Sequence, residues 1–74
     1  MTRGDSRAAL GNAVRHFRVE RDETQEALAH RAEITVGHLS KIERGQANPT
    51  WETLEAIAIA LELSVSRLAK QAEK

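Results

Sequence analysis

The hydrophobic positions of the chain recur at helical spacing along its whole length. Leu10, Val14 and Phe17 fall on one face of a predicted first helix that covers residues 7–21. No segment of four or more residues alternates between polar and apolar in the manner of a β-strand, and Pro49 stands between two helical patterns. The pattern therefore predicts an all-α fold.

Four shorter helices are expected after the first one, because each apolar pattern follows a small polar residue that suits the N-terminal cap of a helix. Gly45 follows the third pattern and suits the left-handed residue that ends a helix. We expect residues 1–74 to form one compact five-helix domain with short flexible ends. The expected caps are, in chain order, Asp5 or Ser6, Thr24, Thr35, Thr50, and Ser64 or Ser66.

Two of these helices are separated by only a few residues, at about residues 24–44. Two short helices joined by a tight turn can cross at a steep angle only where their closest contact is small, and Ala29 meets that condition. This is the pattern of a helix-turn-helix. In that motif the first helix lies across the DNA backbone and the second projects into the major groove.

Several separated stretches resemble the Cro/lambda-repressor type of helix-turn-helix proteins, also called the XRE family. The stretches are Val14-Arg15-His16-Phe17-Arg18, Thr24-Gln25-Glu26-Ala27-Leu28-Ala29, Leu39-Ser40-Lys41-Ile42-Glu43-Arg44-Gly45, Asn48-Pro49-Thr50 and Thr53-Leu54-Glu55-Ala56-Ile57-Ala58. The resemblance covers about residues 8–68 and implies a lambda-repressor-like DNA-binding domain. The chain departs from the family pattern at Asp22-Glu23, where the family usually has glycine and an apolar residue, and at Glu33 and Glu62, where glycine is usual.

The composition narrows the class of protein further. Eleven Lys+Arg balance eleven Asp+Glu, so the case for a nucleic-acid partner depends on where the cations lie in the fold. Because the chain has no cysteine, it has neither a disulfide nor a thiolate metal site. Its longest apolar run, Ala56–Leu61, is far shorter than the roughly 20 residues that span a bilayer. We therefore expect a cytoplasmic protein of a bacterium or phage, with no signal peptide and no membrane partner.

When the residues of the third helix are placed at about 100° per residue, some point toward the core and others point outward. Leu39 and Ile42 set the inward direction. The exposed face of this candidate recognition helix is then basic, although the whole chain is neutral. The outward residues are Gly37, Lys41 and Arg44, with Ser40 close to them, whereas Glu43 and His38 lie toward the inner side.

The expected base contacts are Thr35, Val36, Gly37 and Lys41. Lys41 suits the O6 or N7 atom of guanine, unless it is only a solvated lysine. Gly37 would let the backbone approach base edges closely. A glycine inside a helix costs about 0.5–1 kcal/mol relative to alanine, and less in the first turn, so such an approach would give a reason for its presence. For Thr35 and Val36, contacts with base methyl groups are what the resemblance implies.

The expected phosphate contacts are Gln25, Arg15, His38, Ser40, Arg44 and Asn48. Gln25 opens the first helix of the motif, where its amide and the unpaired backbone N–H groups suit a phosphate, and the resemblance implies the same role. Asn48 is equally suited to forming the turn before Pro49.

The resemblance also implies a partly buried salt bridge between Arg18 and Glu43 that ties the first helix to the third. We expect this pair to be structural rather than DNA-contacting. Removing either partner would leave a charge unpaired and would cost about 3–5 kcal/mol if the pair is deeply buried.

Catalysis, metals and cofactors find no support in the sequence. No two of His16, His30 and His38 have the spacing of helical metal ligands, and no nucleophile or glycine-rich loop has a recognisable setting. We expect no enzyme activity, no cofactor and no small-molecule ligand. Trp51 is expected to anchor the fourth helix against its neighbours, with a dimer contact as the alternative.

A small core and a short recognition helix both favour a dimer. Two copies would present two recognition helices about 34 Å apart to a palindromic operator. The C-terminal part is apolar beyond the needs of a small core, and its expected interface residues are Ile59, Leu61, Leu63, Val65 and Leu68.

The sequence thus predicts a homodimeric, sequence-specific regulator of transcription, such as a repressor, that binds double-stranded DNA and can exclude or contact RNA polymerase. Phage repressors, restriction–modification controller proteins and antitoxins share this small format, and the sequence does not choose among them. The alternative is a protein-interaction module of the same fold, antitoxin-like or polymerase-contacting.

Overall fold

A computed structural model describes residues 3–74 of the chain, with side chains from residue 6 onward. The predicted all-α class is confirmed, and the helices are α1 (Arg3–Glu20), α2 (Gln25–Ala32), α3 (Val36–Glu43), α4 (Trp51–Ala60) and α5 (Val65–Ala72). None of the helices between residues 3 and 74 combines the length and apolar content that crossing a membrane requires.

The start of α1 differs from the prediction. The helix begins at Arg3 rather than at residue 7, so Ser6 lies inside it and the predicted cap at Ser6 is wrong. Asp5, the other candidate, also lies inside the helix, so the predicted cap at Asp5 is wrong as well. The predicted flexible beginning of the chain lies outside the described residues. The apolar pattern did not show this extension because Leu10 is the first large apolar residue after Met1.

The other four helices begin at the predicted caps, with Ser64 rather than Ser66 serving α5. Each cap has an extended backbone, and its side-chain oxygen accepts a hydrogen bond from the backbone N–H three residues later. The donor–acceptor distances are 3.0–3.1 Å for the caps Thr24, Thr35, Thr50 and Ser64. Local sequence chemistry thus fixes where these helices start.

The turns after four helices share one geometry. Within two residues of the helix end the backbone becomes left-handed, at Asp22, Glu33, Gly45 and Glu62, with φ between 54° and 73°. The following N–H donates to the carbonyl five residues before it, from Glu23 to Arg18, Ile34 to Ala29, Gln46 to Lys41 and Leu63 to Ala58, at 2.8–3.1 Å. The three acidic departures from the family's glycine pattern therefore adopt the conformation that favours glycine.

The helices enclose a core to which each of them contributes. α1 packs along α5 and crosses α3, while α2 packs against both α3 and α4. The largest fully buried side chains are Val14, Leu28, Leu39, Ile42, Ile57, Leu61 and Leu68. Because α1 and α2 cover only the inner side of α3, the outer side of that helix stays open.

Two of the predicted dimer contacts are wrong. Leu61 is 2% exposed and Leu68 is 0% exposed, so the chain's own core already covers them. Ile59 is 72% exposed, and Leu63 and Val65 are half-buried, so these three keep apolar surface for a partner.

Trp51 does not anchor α4. Its side chain opens the helix with 62% of its surface exposed, and α4 is held instead by the buried residues Ile57 and Ala58. At the first position of α4 the side chain projects into solvent, whereas Leu54, three residues later, packs against the core. The alternative, a contact with a second copy, stays a prediction.

Gly11 sets the distance between α1 and α3. A Cβ atom at Gly11 would lie 2.3 Å from the carbonyl oxygen of Ile42 and 2.6 Å from that of Glu43. The backbone of α1 therefore touches the last turn of α3 directly. Apolar periodicity could not identify this position, because glycine has no side chain to mark a face.

We predict that Gly11→Ala lowers the free energy of unfolding by about 3 kcal/mol, because the methyl group meets backbone atoms that cannot rotate away. Asn12→Ala, at the next and exposed position of the same helix, is the matched control and should change stability by less than about 0.5 kcal/mol. Urea unfolding followed by circular dichroism measures both. Equal stability of the two variants would contradict the close approach.

Candidate DNA-binding surface

The turn between α2 and α3 brings the two helices into the helix-turn-helix arrangement. Glu33 is left-handed, and the Ile34 N–H donates to the Ala29 carbonyl at 3.0 Å. Ala29 itself is buried, as a small residue at the closest contact should be. Thr35 then caps α3, so only three residues separate the two helices.

The inward and outward residues of α3 are those that the sequence predicts. Leu39, Ile42 and Glu43 are buried, whereas Gly37, Lys41 and Arg44 are exposed. The outward side of α3 thus carries cationic side chains and no acidic side chain.

The four residues expected to contact bases lie together at the exposed start and outer side of α3. Val36 is 44% exposed, and Thr35 and Lys41 are exposed as well. The Thr35 oxygen accepts from the His38 N–H, which leaves its O–H and methyl group available. A Cβ atom at Gly37 would meet nothing within 4 Å, so no packing within the described chain requires glycine there.

The residues expected to contact phosphates fall into two groups. Gln25, His38 and Ser40 are half-buried beside the exposed residues of α3. Arg44 and Asn48 are exposed just after that helix, and the Arg44 Nε donates to the Ser40 carbonyl at 3.3 Å. Arg15 is exposed on α1 instead. It lines a shallow hollow on α1. Among the described residues, no side chain of α2 or α3 contributes to that hollow.

Arg18 and Glu43 form a two-pronged ion pair beneath this surface. Arg18 Nε lies 2.7 Å from Glu43 Oε2, and Arg18 Nη2 lies 3.0 Å from Glu43 Oε1. The hydrogen bond to Glu43 raises the pKa of the Arg18 guanidinium, against the opposing effect of burial, so Arg18 stays charged. Arg18 Nη1 also donates to the Glu23 carbonyl at 2.7 Å, which ties the pair to the turn after α1.

Gln25 has a contact that the sequence did not reveal. Its Nε2 donates to Glu43 Oε1 at 3.0 Å, so the first residue of α2 joins the ion pair. Eighteen residues separate the two side chains, and no helical or strand periodicity relates positions that far apart.

A second cluster explains the acidic residue at position 23. Glu23 Oε2 lies 2.9 Å from Arg31 Nε, and the Glu23 side chain is only 12% exposed. Arg31 also donates to the Ala60 carbonyl, and Arg21 lies 3.1 Å from Glu62 Oε2. An ion-pair network here occupies the place of the family's usual apolar contact.

The charge of the neutral chain is therefore unevenly distributed. The carboxylates of Glu23, Glu43 and Glu62 are paired with arginines of α1, α2 and the turn between them. Lys41 and Arg44 have no acidic partner in the described chain, although Glu26 is exposed in the first turn of α2. The cations on the outer side of α3 are thus free to meet a polyanion.

Known proteins resemble the chain in sequence and in structure. A family described as the helix-turn-helix domain matches residues 9–71. The immunity repressor protein of Bacillus phage phi105 is 41% identical over 59 residues, which cover 80% of this chain and 41% of the repressor. The transcriptional regulator ClgR of Mycobacterium tuberculosis is 37% identical over 60 residues, covering 81% of this chain and 54% of the regulator. The chain thus spans about half the length of these curated relatives.

Two solved structures share the fold. The crystal structure of the clp gene regulator ClgR from Corynebacterium glutamicum superposes with a TM-score of 0.89 at 35% identity, covering 92% of this chain and 87% of that chain. The restriction–modification controller protein C.Esp1396I, a tetramer in complex with its natural 35-base-pair operator, gives a TM-score of 0.80 at 30% identity, covering 93% and 96%.

We predict that Gly37→Ala separates stability from binding. The methyl group enters open space and should raise the free energy of unfolding by about 0.5 kcal/mol, because alanine favours a helix more than glycine does. If the bare backbone lies against base edges, the same variant should bind DNA more weakly. Thermal unfolding and fluorescence anisotropy with labelled duplex DNA give the two measurements.

Ser66→Ala is the matched control for Gly37→Ala, since Ser66 is also the exposed second residue of an eight-residue helix. It should leave DNA affinity unchanged. Unchanged affinity in Gly37→Ala as well would argue against close backbone contact at that position.

Proposed function

The chain belongs to the helix-turn-helix domain family, and on this basis we propose that it is a sequence-specific DNA-binding regulator of transcription that acts as a homodimer on a palindromic operator. The observation that carries the proposal is the exposed row on α3, where Gly37, Lys41 and Arg44 point away from the core without an acidic neighbour on the same face. Relatives named as repressors and regulators of transcription support it.

In this proposal α3 enters the major groove and α2 lies across the backbone. Lys41 donates to guanine O6 or N7, and Thr35 and Val36 contact base methyl groups. Gln25 and Arg44 bind phosphates on either side of the groove and fix the register of the helix, but carry no sequence information themselves. The activity is binding rather than catalysis, and the DNA ligand places it in the bacterial cytoplasm.

Dimerisation extends the number of bases that are read. One α3 covers only a few base pairs, whereas two copies can place their helices about 34 Å apart, one turn of DNA. We assign the interface to the exposed Ile59 with the half-buried Leu63 and Val65. Occupying a promoter in this way would exclude or contact RNA polymerase.

We predict that removing both outward cations, Lys41→Ala with Arg44→Ala, abolishes specific DNA binding and leaves the helices folded. The test uses a duplex covering the region upstream of the protein's own gene, with fluorescence anisotropy at several salt concentrations. If a dimer neutralises roughly six to eight phosphates, the affinity of the unaltered protein should fall with a log–log slope of about −5 to −7.

Lys70→Ala with Lys74→Ala removes the same charge from exposed positions in and just after α5 and should retain binding. A slope near zero, or equal losses in the two double variants, would argue against the assignment of α3 as the reading helix.

We predict that Ile59→Glu converts the dimer into folded monomers, because a buried charge without a partner is costly at an apolar interface. Sedimentation velocity measures the oligomeric state, and DNA affinity should fall with it. Val19→Glu, at another exposed apolar position, is the control and should stay dimeric. A dimer that survives Ile59→Glu would place the interface elsewhere.

A further inference from the structure

One oxygen of Glu43 joins two helices. Its Oε1 lies 3.0 Å from Arg18 Nη2 on α1 and 3.0 Å from Gln25 Nε2 on α2. The Glu43 side chain is 3% exposed, so water does not compete for these hydrogen bonds. The carboxylate of α3 therefore controls a side chain at the surface of α2.

The chemistry of the pair fixes the orientation of the Gln25 amide. An ionised carboxylate only accepts hydrogen bonds, so Gln25 must turn its Nε2 rather than its carbonyl oxygen toward Glu43. The two-pronged bond with Arg18 holds the Glu43 carboxylate in place as an acceptor of hydrogen bonds. Since the amide is planar, engaging one N–H of Nε2 also sets the direction of the second N–H, which bonds to no group within the described residues.

We infer that Glu43 is a positioning residue for DNA binding, acting through Gln25 on a backbone phosphate that Glu43 itself does not touch. This rests on the proposed function. The backbone N–H groups of Gln25 and Glu26 lie in the first turn of α2 and have no partner within the helix. An oriented side-chain N–H adds a further donor for the same anion, whereas an unrestrained amide would also present its carbonyl oxygen, which repels phosphate.

A double-mutant cycle tests this coupling with the upstream duplex. Gln25→Ala removes the donor and Glu43→Gln removes the acceptor-only partner, and each should weaken binding by about tenfold, the scale of one hydrogen bond to a charged group. The double variant should bind no more than about twofold more weakly than Gln25→Ala, because Glu43 then has nothing to orient.

Leu68→Ala controls for lost stability, because it opens the core at α5, far along the chain from the ion pair. All variants are compared at a temperature where circular dichroism shows them folded, and Leu68→Ala should bind like the unaltered protein. Additive losses in the cycle, or an equal loss in Leu68→Ala, would overturn the inference, because Glu43 would then act only on the fold.

The unaltered protein gives a second test that does not require Glu43→Gln to fold. In NMR spectra the two Nε2 protons of Gln25 are distinct, and adding duplex should shift one while the proton bonded to Glu43 stays in place. If duplex binding shifts neither proton resonance, or shifts both together, the inference is overturned while the proposed function stands. If the unaltered protein does not bind duplex DNA at all, the proposed function fails and the inference fails with it.

Discussion

The buried carboxylate of Glu43 is the constraint on which the arrangement of the first three helices depends. An unpaired carboxylate at this depth would cost several kcal/mol, so hydrogen-bond donors must reach it. α1 supplies Arg18 and α2 supplies Gln25, at distances of 2.7–3.0 Å. The positions of α1 and α2 relative to the last turn of α3 are thus restricted to those that keep all three bonds.

The same turn of α3 is held a second time, by its backbone. The carbonyl oxygens of Ile42 and Glu43 face Gly11 so closely that a Cβ atom would overlap them. The interior thus holds α3 by its inner face and its C-terminal end, while its first turn and outer face remain exposed. A helix held in this way presents its free face at a defined angle, which a reading helix needs, and leaves its outer residues free to vary without loss of stability.

The starts of α2 to α5 and the faces of α3 could be predicted from the sequence because they depend on near neighbours. The caps at Thr24, Thr35 and Thr50 form with residues three positions away, and the inward direction of α3 follows from Leu39 and Ile42 alone. Contacts between distant parts of the chain could not be predicted in that way. The burial of Leu61 and Leu68, the exposure of Trp51 and the bond from Gln25 to Glu43 all depend on which helix covers which, and periodicity carries no information on that choice.

The left-handed turns show why acidic residues can stand where the family usually has glycine. A side chain in this conformation costs about 1–2 kcal/mol. The residue after each turn is anchored in the interior, by apolar packing at Ile34 and Leu63 and by the ion pair with Arg31 at Glu23. Ile34 and Leu63 are half-buried and gain only part of the roughly 1.5–3 kcal/mol of full burial, and the hydrogen bond that closes the turn adds about 1 kcal/mol. The anchor and the hydrogen bond together offset a strain of this size, so these turns keep their geometry with an acidic residue in the left-handed position. At Glu23 the anchor is an ion pair rather than apolar packing, and the chain follows the same path as in the turns before Ile34 and Leu63.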